Sequence, residues 1–437
     1  MQNQYDSEGL KLQELPFPAL HYLASPAKMM DLVDQEAMSY VVLALGVLIL
    51  MLYVLTFSLV IISCVWSWMY FHKKSDTAVL GDDVPGVSII KPLMGIDPLL
   101  EVNLESHFTL KYPKYELLIC FHDDQDPAIT LVQKLKEKHP KVDVKMFFHG
   151  REEIMNPMVQ NMVQGYEAAQ YEYVWISTSR IKASTDIIQD MVVKLQQPNV
   201  ALVHQMPFSV QANNLASSIE KIYFGCALAR YYIAFNILGM CCVTGMSYIF
   251  KKSVLDSLDG LGWFGRYLAE DFFLTKAIHD RGFKLELSAY PAQQNVSSTS
   301  VKSFVDRMVR WLRLRLNMLT VVACFLEPLT ECMTLGATAA AALYHFFDIN
   351  PFIMFCSHLL VWLVIDYIQL RNVQNGPVPI GKLRFAWTWM FRECLSVWIF
   401  ICAVVNPHRI KWGRRTYYVH TGGHTELDTK ASACSDL

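Results

Sequence analysis

Hydrophobic and polar positions divide the chain into an apolar N-terminal stretch, a mixed central region and an apolar C-terminal region. Residues 38–71 carry no formal charge and are dominated by Val, Leu and Ile. This stretch is longer than the roughly 20 residues that a membrane-spanning helix needs. Acidic residues precede it and Lys73 and Lys74 follow it, so the positive-inside bias predicts that the next region faces the cytosol. We therefore expect an N-terminal extension over residues 1–37 and an uncleaved transmembrane anchor over residues 38–71.

The central region, residues 84–315, has the alternating pattern of an α/β domain. Apolar runs of strand length alternate with stretches of helical spacing such as residues 127–139 and 157–170. The strand-length runs cover residues 87–90, 115–121, 142–148, 173–176 and 200–204. This alternation predicts a mostly parallel sheet covered by helices. Because ligands of such sheets bind outside the carboxyl ends of the strands, functional residues are expected just after the strands.

Beyond Arg315 the chain is apolar again, which predicts transmembrane or interfacial helices over residues 316–405. The apolar segments cover residues 316–326, 328–347, 351–365 and 386–405, and Arg392-Glu393 interrupts the last. Ionisable residues inside a membrane are functional or paired. Counting these segments as spans puts the tail, residues 406–437, outside, whereas its basic residues favour the cytosolic side. A re-entrant late segment would reconcile the two predictions.

Composition narrows the class of protein. Hydrophobic residues make up 53% of the chain and charged residues 18%, and the formal net charge is −2. Without a basic excess, nucleic acid is not an expected partner, and an anionic ligand needs a local site. The eleven cysteines show no C-x-x-C or Cys/His ligand spacing. They are expected to be small hydrophobic side chains in a reducing compartment rather than a disulfide or zinc framework.

The first candidate ligand residue follows the second predicted strand. Asp123 comes one step past that strand and is expected to touch a ligand, with a structural turn as the alternative. Asp126 precedes Pro127, which predicts a helix N-cap with proline at the first helical position.

A second group of candidates lies between residues 267 and 311. Asp271, in the pair Glu270-Asp271, opens a predicted helix, and a carboxylate is a natural general base for a hydroxyl nucleophile. Arg307 and Arg310 lie three residues apart and present forked donors from one helical face. A diphosphate leaving group requires such cations where its charge develops.

Two interpretations of this arginine-rich stretch stay open. Trp311 lies beside the arginine pair and could stack on a sugar or ring, which favours a donor site. Together with Arg313 and Arg315, the pair could instead form a basic helix against anionic headgroups of membrane lipid. Both interpretations can hold at once.

These residues carry a resemblance to a known family. From about residue 84 to its tail, the chain resembles the ceramide glucosyltransferases, which are membrane-bound, inverting glycosyltransferases of the processive type. The matching segments are VSIIKPL at residues 87–93, YPKYE at 112–116, DPAI at 126–129, VTGMS at 243–247, AED at 269–271, RMVRW at 307–311 and DYIQLR at 366–371.

The resemblance implies a glycosyltransferase-A type, Rossmann-like domain that faces the cytosol from the Golgi membrane. It implies UDP-glucose as donor, ceramide as acceptor, and β-glucosylceramide and UDP as products. Asp123 matches the first family aspartate, which is associated with the nucleotide, and Asp271 matches the third, the proposed proton acceptor. Residues 307–311 match the (Gln/Arg)-x-x-Arg-Trp motif, so Arg307, Arg310 and Trp311 are expected at the UDP-sugar.

The chain departs from the family pattern near the expected site. Thr178-Ser179-Arg180 stands where the family reads Asp-Ser-Gly, and that missing aspartate normally helps to hold a divalent cation, Mn or Mg. The cation is therefore a weakened expectation, and Arg180 could supply a fixed positive charge in its place. Met158 replaces a family lysine and Leu228 replaces a family histidine.

Two other functions remain as alternatives. A paralogue with weak or no turnover could act as a binding or scaffold protein, and a polysaccharide synthase would share the aspartates and the Arg-x-x-Arg-Trp motif. The sequence leaves the oligomeric state open.

Overall fold

The computed structural model describes residues 26–76, 83–297, 300–413 and 415–428, with side chains from residue 37 onward. The chain forms two compact units, Met1–Leu52 and Tyr53–Leu437. Helix α1 covers Pro26–Tyr70 and begins with a proline, which suits the first turn of a helix. It therefore starts inside the stretch predicted as an N-terminal extension, of which residues 1–25 lie outside the described chain.

The second unit contains a large α/β domain. Its strands are β1 (Val87–Leu93), β2 (Tyr115–Phe121), β3 (Asp143–Phe147), β4 (Tyr173–Ser177), β5 (Ile181–Lys182), β6 (Val200–His204), β7 (Pro207–Ser209), β8 (Ser247–Lys251), β9 (Lys284–Leu287) and β10 (Ala292–Gln294). Its helices are α2 (Leu100–Phe108), α3 (Ala128–Lys138), α4 (Pro157–Glu167), α5 (Thr185–Leu195), α6 (Leu215–Ile222), α7 (Ala229–Ile237), α8 (Lys252–Asp256), α9 (Gly260–Phe264), α10 (Glu270–Asp280) and α11 (Val301–Met318). A π-helical segment, Tyr223–Leu228, joins α6 to α7.

A seven-stranded mixed sheet forms the centre of this domain, in the order β3-β2-β1-β4-β8-β6-β9. The block β3-β2-β1-β4 is parallel, as predicted. Strand β8, which was not predicted, runs antiparallel between β4 and β6. Because of its direction, the start of β8 lies at the carboxyl end of β4. A second sheet, of three short strands, has the order β5-β10-β7.

The side chains of the parallel strands alternate between two hydrophobic cores. On β1, Ile89 packs in the core under α2, α3 and α5, whereas Ile90 packs in the core under α4, α9 and α10. Likewise, Leu117 of β2 packs in the same core as Ile89, and Leu118 packs in the same core as Ile90. Both faces of the sheet are thus covered by helices, which explains why the strands appear as nearly continuous apolar runs.

The C-terminal apolar region is helical. After a second π-helical segment, Val322–Leu326, it consists of α12 (Glu327–Thr330), α13 (Cys332–Phe347), α14 (Pro351–Gln374) and α15 (Lys382–Val405). Within the described residues, three helical stretches are long and apolar enough to cross a membrane. They are Ala37–Tyr70, Pro351–Gln374 and Lys382–Val405.

Three buried ionisable residues in these apolar helices, Asp366, Arg392 and Glu393, are paired. Arg392 of α15 forms ion pairs with its neighbour Glu393 and, at 3.3 Å, with Glu331. Asp366 of α14 forms a buried ion pair with Arg230 of α7 and accepts a hydrogen bond from the indole of Trp389 at 2.8 Å. These contacts join the apolar helices to the α/β domain.

The tail folds into a third sheet, β11 (Arg409–Trp412), β12 (Arg415–Val419) and β13 (Thr425–Leu427), in that order. The guanidinium of Arg313 in α11 donates to the carbonyl oxygens of Arg409 and Cys402, each at 2.9 Å. The tail therefore lies against the α/β domain. Helix α15 contacts this domain at both ends, through Cys402 and through a bond from Arg384 to Ser218 at 3.1 Å. The side of a membrane on which the tail lies stays a prediction.

Candidate active site

One edge of the large sheet gathers most of the predicted site residues. Phe121, the last residue of β2, aligns with Leu93 at the end of β1, and β4 ends on the same edge. Asp123 follows β2, and the turn that holds Thr178 and Arg180 follows β4. The amide of Thr178 donates to the carbonyl oxygen of Met246 at 3.0 Å, which brings the residues before β8 to this edge as well.

The loop after β2 is shaped by its own aspartates. Asp123 is half-buried, and its Oδ1 accepts the amide of Gln125 at 3.0 Å. Asp126 accepts the amides of Ala128 and Gly95, each at 2.8 Å, and so ties the start of α3 to the loop after β1. Helix α3 begins at Ala128 with Pro127 in the capping position, one residue later than predicted.

Asp271 lies at the start of α10, as the acidic pair predicted. Its Oδ2 accepts the amide of Gly245 at 2.5 Å, and its Oδ1 accepts the amide of Phe272 at 2.8 Å. Burial raises the pKa of Asp271 to about 6, although these two amide hydrogen bonds oppose the rise. A carboxyl with such a pKa is mostly ionised at neutral pH yet able to take up a proton.

Glu270 is the buried partner of Asp271. Burial, followed by the charge of Asp271, raises its pKa well above the ordinary value. Its Oε2 accepts the side-chain amide of Asn156 at 2.6 Å. Asn156 also caps α4, since its Oδ1 accepts the amides of Met158 and Val159. The acidic pair is thus held from α4 as well as from the sheet edge.

Helix α11 presents Arg307 and Arg310 on one face. Arg307 forms an ion pair with Glu220 of α6, and its guanidinium lies 5.4 Å from the ring centre of Phe224. Trp311 packs edge-on against Phe224, with ring centres 6.1 Å apart. The ring centre of Trp311 also lies 5.9 Å from the guanidinium of Arg307. The stacking of Trp311 on a sugar stays a prediction.

Three guanidiniums come within electrostatic reach of one another at this site. Burial, and then repulsion from Arg307 and Arg180, lowers the pKa of Arg310 to about 10. The pKa of Arg307 is lowered by burial and by Arg180, against the attraction of Glu220. Among the described residues, Glu220 is the one carboxylate paired with this cluster. Arg307 and Arg310 are partly buried and Arg180 is exposed, and such an excess of positive charge is the property that a diphosphate site needs.

The base and α11 converge near Cys242. Burial raises the pKa of this thiol to about 12, and the charges of Asp271 and Arg315 both reach it. Arg315 lies on α11 beyond Arg310 and pairs with Glu327 at 2.7 Å. The start of α10 and the arginine-bearing helix therefore border the same region.

The groups after β4 do not fit a divalent cation. Hard cations prefer carboxylate oxygens, whereas this turn presents Thr178 and Arg180. The Thr178 carbonyl oxygen already accepts a hydrogen bond from the buried Nζ of Lys91 at 2.9 Å. In the described part of the chain, no group of three or more His, Cys, Asp or Glu side chains is placed to hold a metal ion. The charge that these residues supply is that of fixed guanidiniums.

Comparison with known proteins shows the family of the chain. The sequence profile of glycosyl transferase family 21 matches residues 46–425. The chain belongs to this family. Ceramide glucosyltransferase 3 of Caenorhabditis elegans is 38% identical over 353 residues, which cover 80% of this chain and 76% of that protein. Ceramide glucosyltransferase 1 of the same organism is 40% identical over 341 residues, which cover 78% and 73%.

A solved structure also matches the chain. The mannosyltransferase PcManGT from Pyrobaculum calidifontis, in complex with GDP-Man and Mn²⁺, has a TM-score of 0.47 and 16% identity over 83% of this chain and 98% of that one. Family membership confirms the predicted glycosyltransferase-A type α/β fold.

Several contacts of this candidate site were not predicted. Gly245 bonds to Asp271, Asn156 bonds to Glu270, and Trp412 of β11 contacts Arg310. The Asn156-Pro157 pair was a detectable helix-start signal, but its bond to Glu270 spans 114 residues of sequence. Met158 and Leu228, which were expected to differ from the family pattern, are both half-buried.

Proposed function

We propose that this family 21 protein transfers glucose from UDP-glucose to ceramide and releases β-glucosylceramide and UDP. The observation that carries the proposal is that the turn after β4 links the base to the guanidiniums. Thr178 of this turn is bonded to Met246, next to the Gly245 that binds Asp271, and the charge of Arg180 reaches Arg307 and Arg310. The relatives named ceramide glucosyltransferase support the identity of donor and acceptor. They favour this function over a polysaccharide synthase or a binding protein.

The proposed reaction is a single displacement. The primary hydroxyl oxygen of ceramide attacks the anomeric carbon of glucose as the bond from that carbon to the diphosphate oxygen breaks. Asp271 accepts the hydroxyl proton, and the electron pair of the broken bond leaves with UDP. One displacement inverts the anomeric centre, so an α-linked donor gives a β-linked product. The raised pKa of Asp271 suits a group that must take up this proton.

The proposed donor site lies between the sheet edge and α11. Arg310 is the main ligand of the departing diphosphate, since no carboxylate among the described residues neutralises it. Arg307 supports it electrostatically, and Trp311 borders the sugar. Asp123 binds the nucleotide at the end of β2. Arg180 supplies fixed positive charge at the turn after β4, in place of a divalent cation.

We propose a Golgi membrane location with the catalytic domain, residues 84–315, in the cytosol. An anchor at residues 38–71 and the helices of residues 316–405 would hold the domain at the lipid surface, with residues 406–437 on the cytosolic side. The apolar character of α1, α14 and α15 supports attachment to a membrane. Such a position gives a two-chain lipid access to a water-soluble donor.

Product analysis tests the proposal. The full chain in lipid nanodiscs is incubated with UDP-[¹⁴C]glucose and a short-chain ceramide, and the products are separated and digested with a β-specific glucosidase. The expected product carries one glucose, which the β-specific glucosidase removes. Products with several sugars would instead indicate a polysaccharide synthase, and binding of UDP-glucose without transfer would indicate a binding protein.

A further inference from the structure

The tail sheet turns one face toward the proposed active site. Along a strand, successive side chains point to opposite faces. Ile410 and Trp412 of β11 therefore share a face with Tyr417 and Val419 of β12, while Tyr418 points the other way. Ile410, Tyr417 and Val419 are buried against Leu268, and Trp412 packs on the same cluster. The outer face, where Tyr418 stacks on His408, is exposed.

On one side of this cluster the sheet contacts α11. The guanidinium of Arg310 lies 5.2 Å from the ring centre of Trp412. Within the described residues no carboxylate pairs with Arg310, so the indole face of Trp412 is an attractive contact for a guanidinium that Arg307 and Arg180 repel. A cation over an indole face gains attraction that grows as the pair loses water, and tryptophan is the strongest aromatic partner.

On the other side the sheet contacts the segment that ends in the acidic pair. Tyr267 bridges to His424, and its ring stacks on Phe273 with centres 3.8 Å apart. Gly423 lies so close to Phe273 that a Cβ there would come within 2.5 Å of the ring. These residues bracket Glu270 and Asp271 in sequence, so the sheet touches α10 next to the base.

A third set of contacts fixes the sheet to the end of α11. Asn317 donates to the carbonyl oxygen of Pro407 at 2.8 Å, and its own carbonyl oxygen accepts the amide of Gly422 at 2.8 Å. The sheet is therefore held at both its start and its last turn by one residue of the helix that carries Arg310.

We propose that Trp412 is a positioning residue for donor binding, which holds the Arg310 guanidinium where it meets the diphosphate of UDP-glucose. Sheet β11–β13 then joins the donor-binding helix to the base, and residues beyond the last apolar helix complete the site. The proposal rests on the proposed function for the identity of the donor, but its prediction for UDP binding requires no transfer.

A ring series at position 412 tests the role. UDP affinity and the KM for UDP-glucose are measured on the full chain in nanodiscs for wild type, Trp412→Tyr, Trp412→Phe and Trp412→Leu, with thermal unfolding as the check on folding. We expect affinity to fall in that order, to about tenfold weaker in Trp412→Leu, with kcat changed less than KM. Tyr418→Leu, on the outer face, is the matched control and should bind UDP as wild type does.

A double-mutant cycle distinguishes positioning from general packing. If Trp412 acts through Arg310, Trp412→Leu should weaken UDP binding no further in an Arg310→Gln background. Independent, additive losses would overturn the proposal, as would equal UDP affinity in Trp412→Leu and Tyr418→Leu. The two conservative ring variants keep the test decisive if Trp412→Leu does not fold. If the substitutions of Trp412 weaken UDP binding as expected but the wild-type protein transfers no glucose, the proposed function is refuted and this inference stands.

Discussion

Oδ2 of Asp271 accepts a hydrogen bond from the backbone amide of Gly245 at 2.5 Å. Gly245 precedes β8, and the next residue, Met246, is bonded to the turn after β4. The proposed base is therefore held by the backbone of the sheet edge at which the donor is expected. This contact depends on a residue without a side chain, because a Cβ on Gly245 would lie 3.1 Å from Glu270 Oε1 and 3.2 Å from Asp271 Oδ2.

Replacing Gly245 by alanine should displace the base. The new methyl group would push both carboxylates by a few tenths of an ångström, and catalysis is sensitive to shifts of that size. We expect Gly245→Ala to lower kcat about tenfold while the KM for UDP-glucose stays within about twofold. Gly376→Ala is the matched control, since a Cβ there meets no atom within 4 Å. Wild-type kcat in Gly245→Ala would show that this contact does not position the base.

The activity should depend on pH through Asp271. Burial raises its pKa to about 6, and a general base works only when it is ionised. The rate should therefore rise with pH through about 6 and level off above it. A profile of kcat from about pH 5 to about pH 8 would reveal this limb, and Asp271→Asn should lose it together with roughly 10²- to 10⁴-fold in kcat. A flat wild-type profile over this range would contradict the assignment.

The same pKa shift predicts a stability effect of opposite sign. The folded protein binds the Asp271 proton more tightly than the unfolded chain does, so this group's contribution to stability falls as pH rises from the ordinary aspartate pKa through about 6. Asp271→Asn removes that dependence. Thermal unfolding at neutral pH should find the variant at least as stable as wild type, and marked destabilisation of the variant would oppose this account.

Transfer should not require a divalent cation. Arg180 supplies fixed charge near Arg307 and Arg310, and the turn after β4 lacks the carboxylate that a metal would need. We expect activity to survive EDTA and to fall at least about tenfold in Arg180→Ala, which removes one charge-assisted contact. The matched control Lys182→Ala removes an exposed cation on β5, two residues after Arg180, and should leave the transfer activity nearly unchanged. Activity that vanishes with EDTA and returns with Mn²⁺ would rule out the role of Arg180.

The buried pair between Arg230 and Asp366 should stabilise the junction of the α/β domain with α14. Both side chains are almost fully buried, so Asp366→Asn would leave an uncompensated guanidinium and cost about 3–5 kcal/mol. Asp280→Asn breaks an exposed pair with Lys276 and should cost less than about 0.5 kcal/mol. Thermal unfolding of the two variants compares them directly, and equal midpoints would refute the prediction.

The α/β fold was predictable because its core is periodic. The parallel strands appear as apolar runs, and the acidic pair before an apolar helical stretch indicated the start of α10. The spacing of Arg307 and Arg310, three residues apart, also predicted that the two side chains share one face of α11. Each of these signals lies within about one helix or strand of sequence, where local spacing determines which side chains face each other.

What the sequence did not reveal depends on contacts between distant residues. The bond from Asn156 to Glu270 joins α4 to α10, and the contact of Trp412 with Arg310 joins the tail to α11. Strand β8 has only five residues and follows a longer apolar stretch, so no local pattern set it apart as a strand. Its antiparallel direction depends on its neighbours in the sheet and had no local signal. The contact of the tail with the α/β domain had no local signal either, because composition cannot tell a helix that crosses a membrane from one whose two ends contact the same domain.

The central claim is that Asp271 takes the proton of the acceptor hydroxyl in glucose transfer to ceramide. Single-turnover transfer by the full chain in nanodiscs, compared between wild type and Asp271→Asn at matched UDP-glucose occupancy, measures that step directly. The account predicts that the variant binds UDP-glucose within about threefold of wild type yet transfers glucose at least about 100-fold more slowly. Equal transfer rates for the two proteins would contradict it.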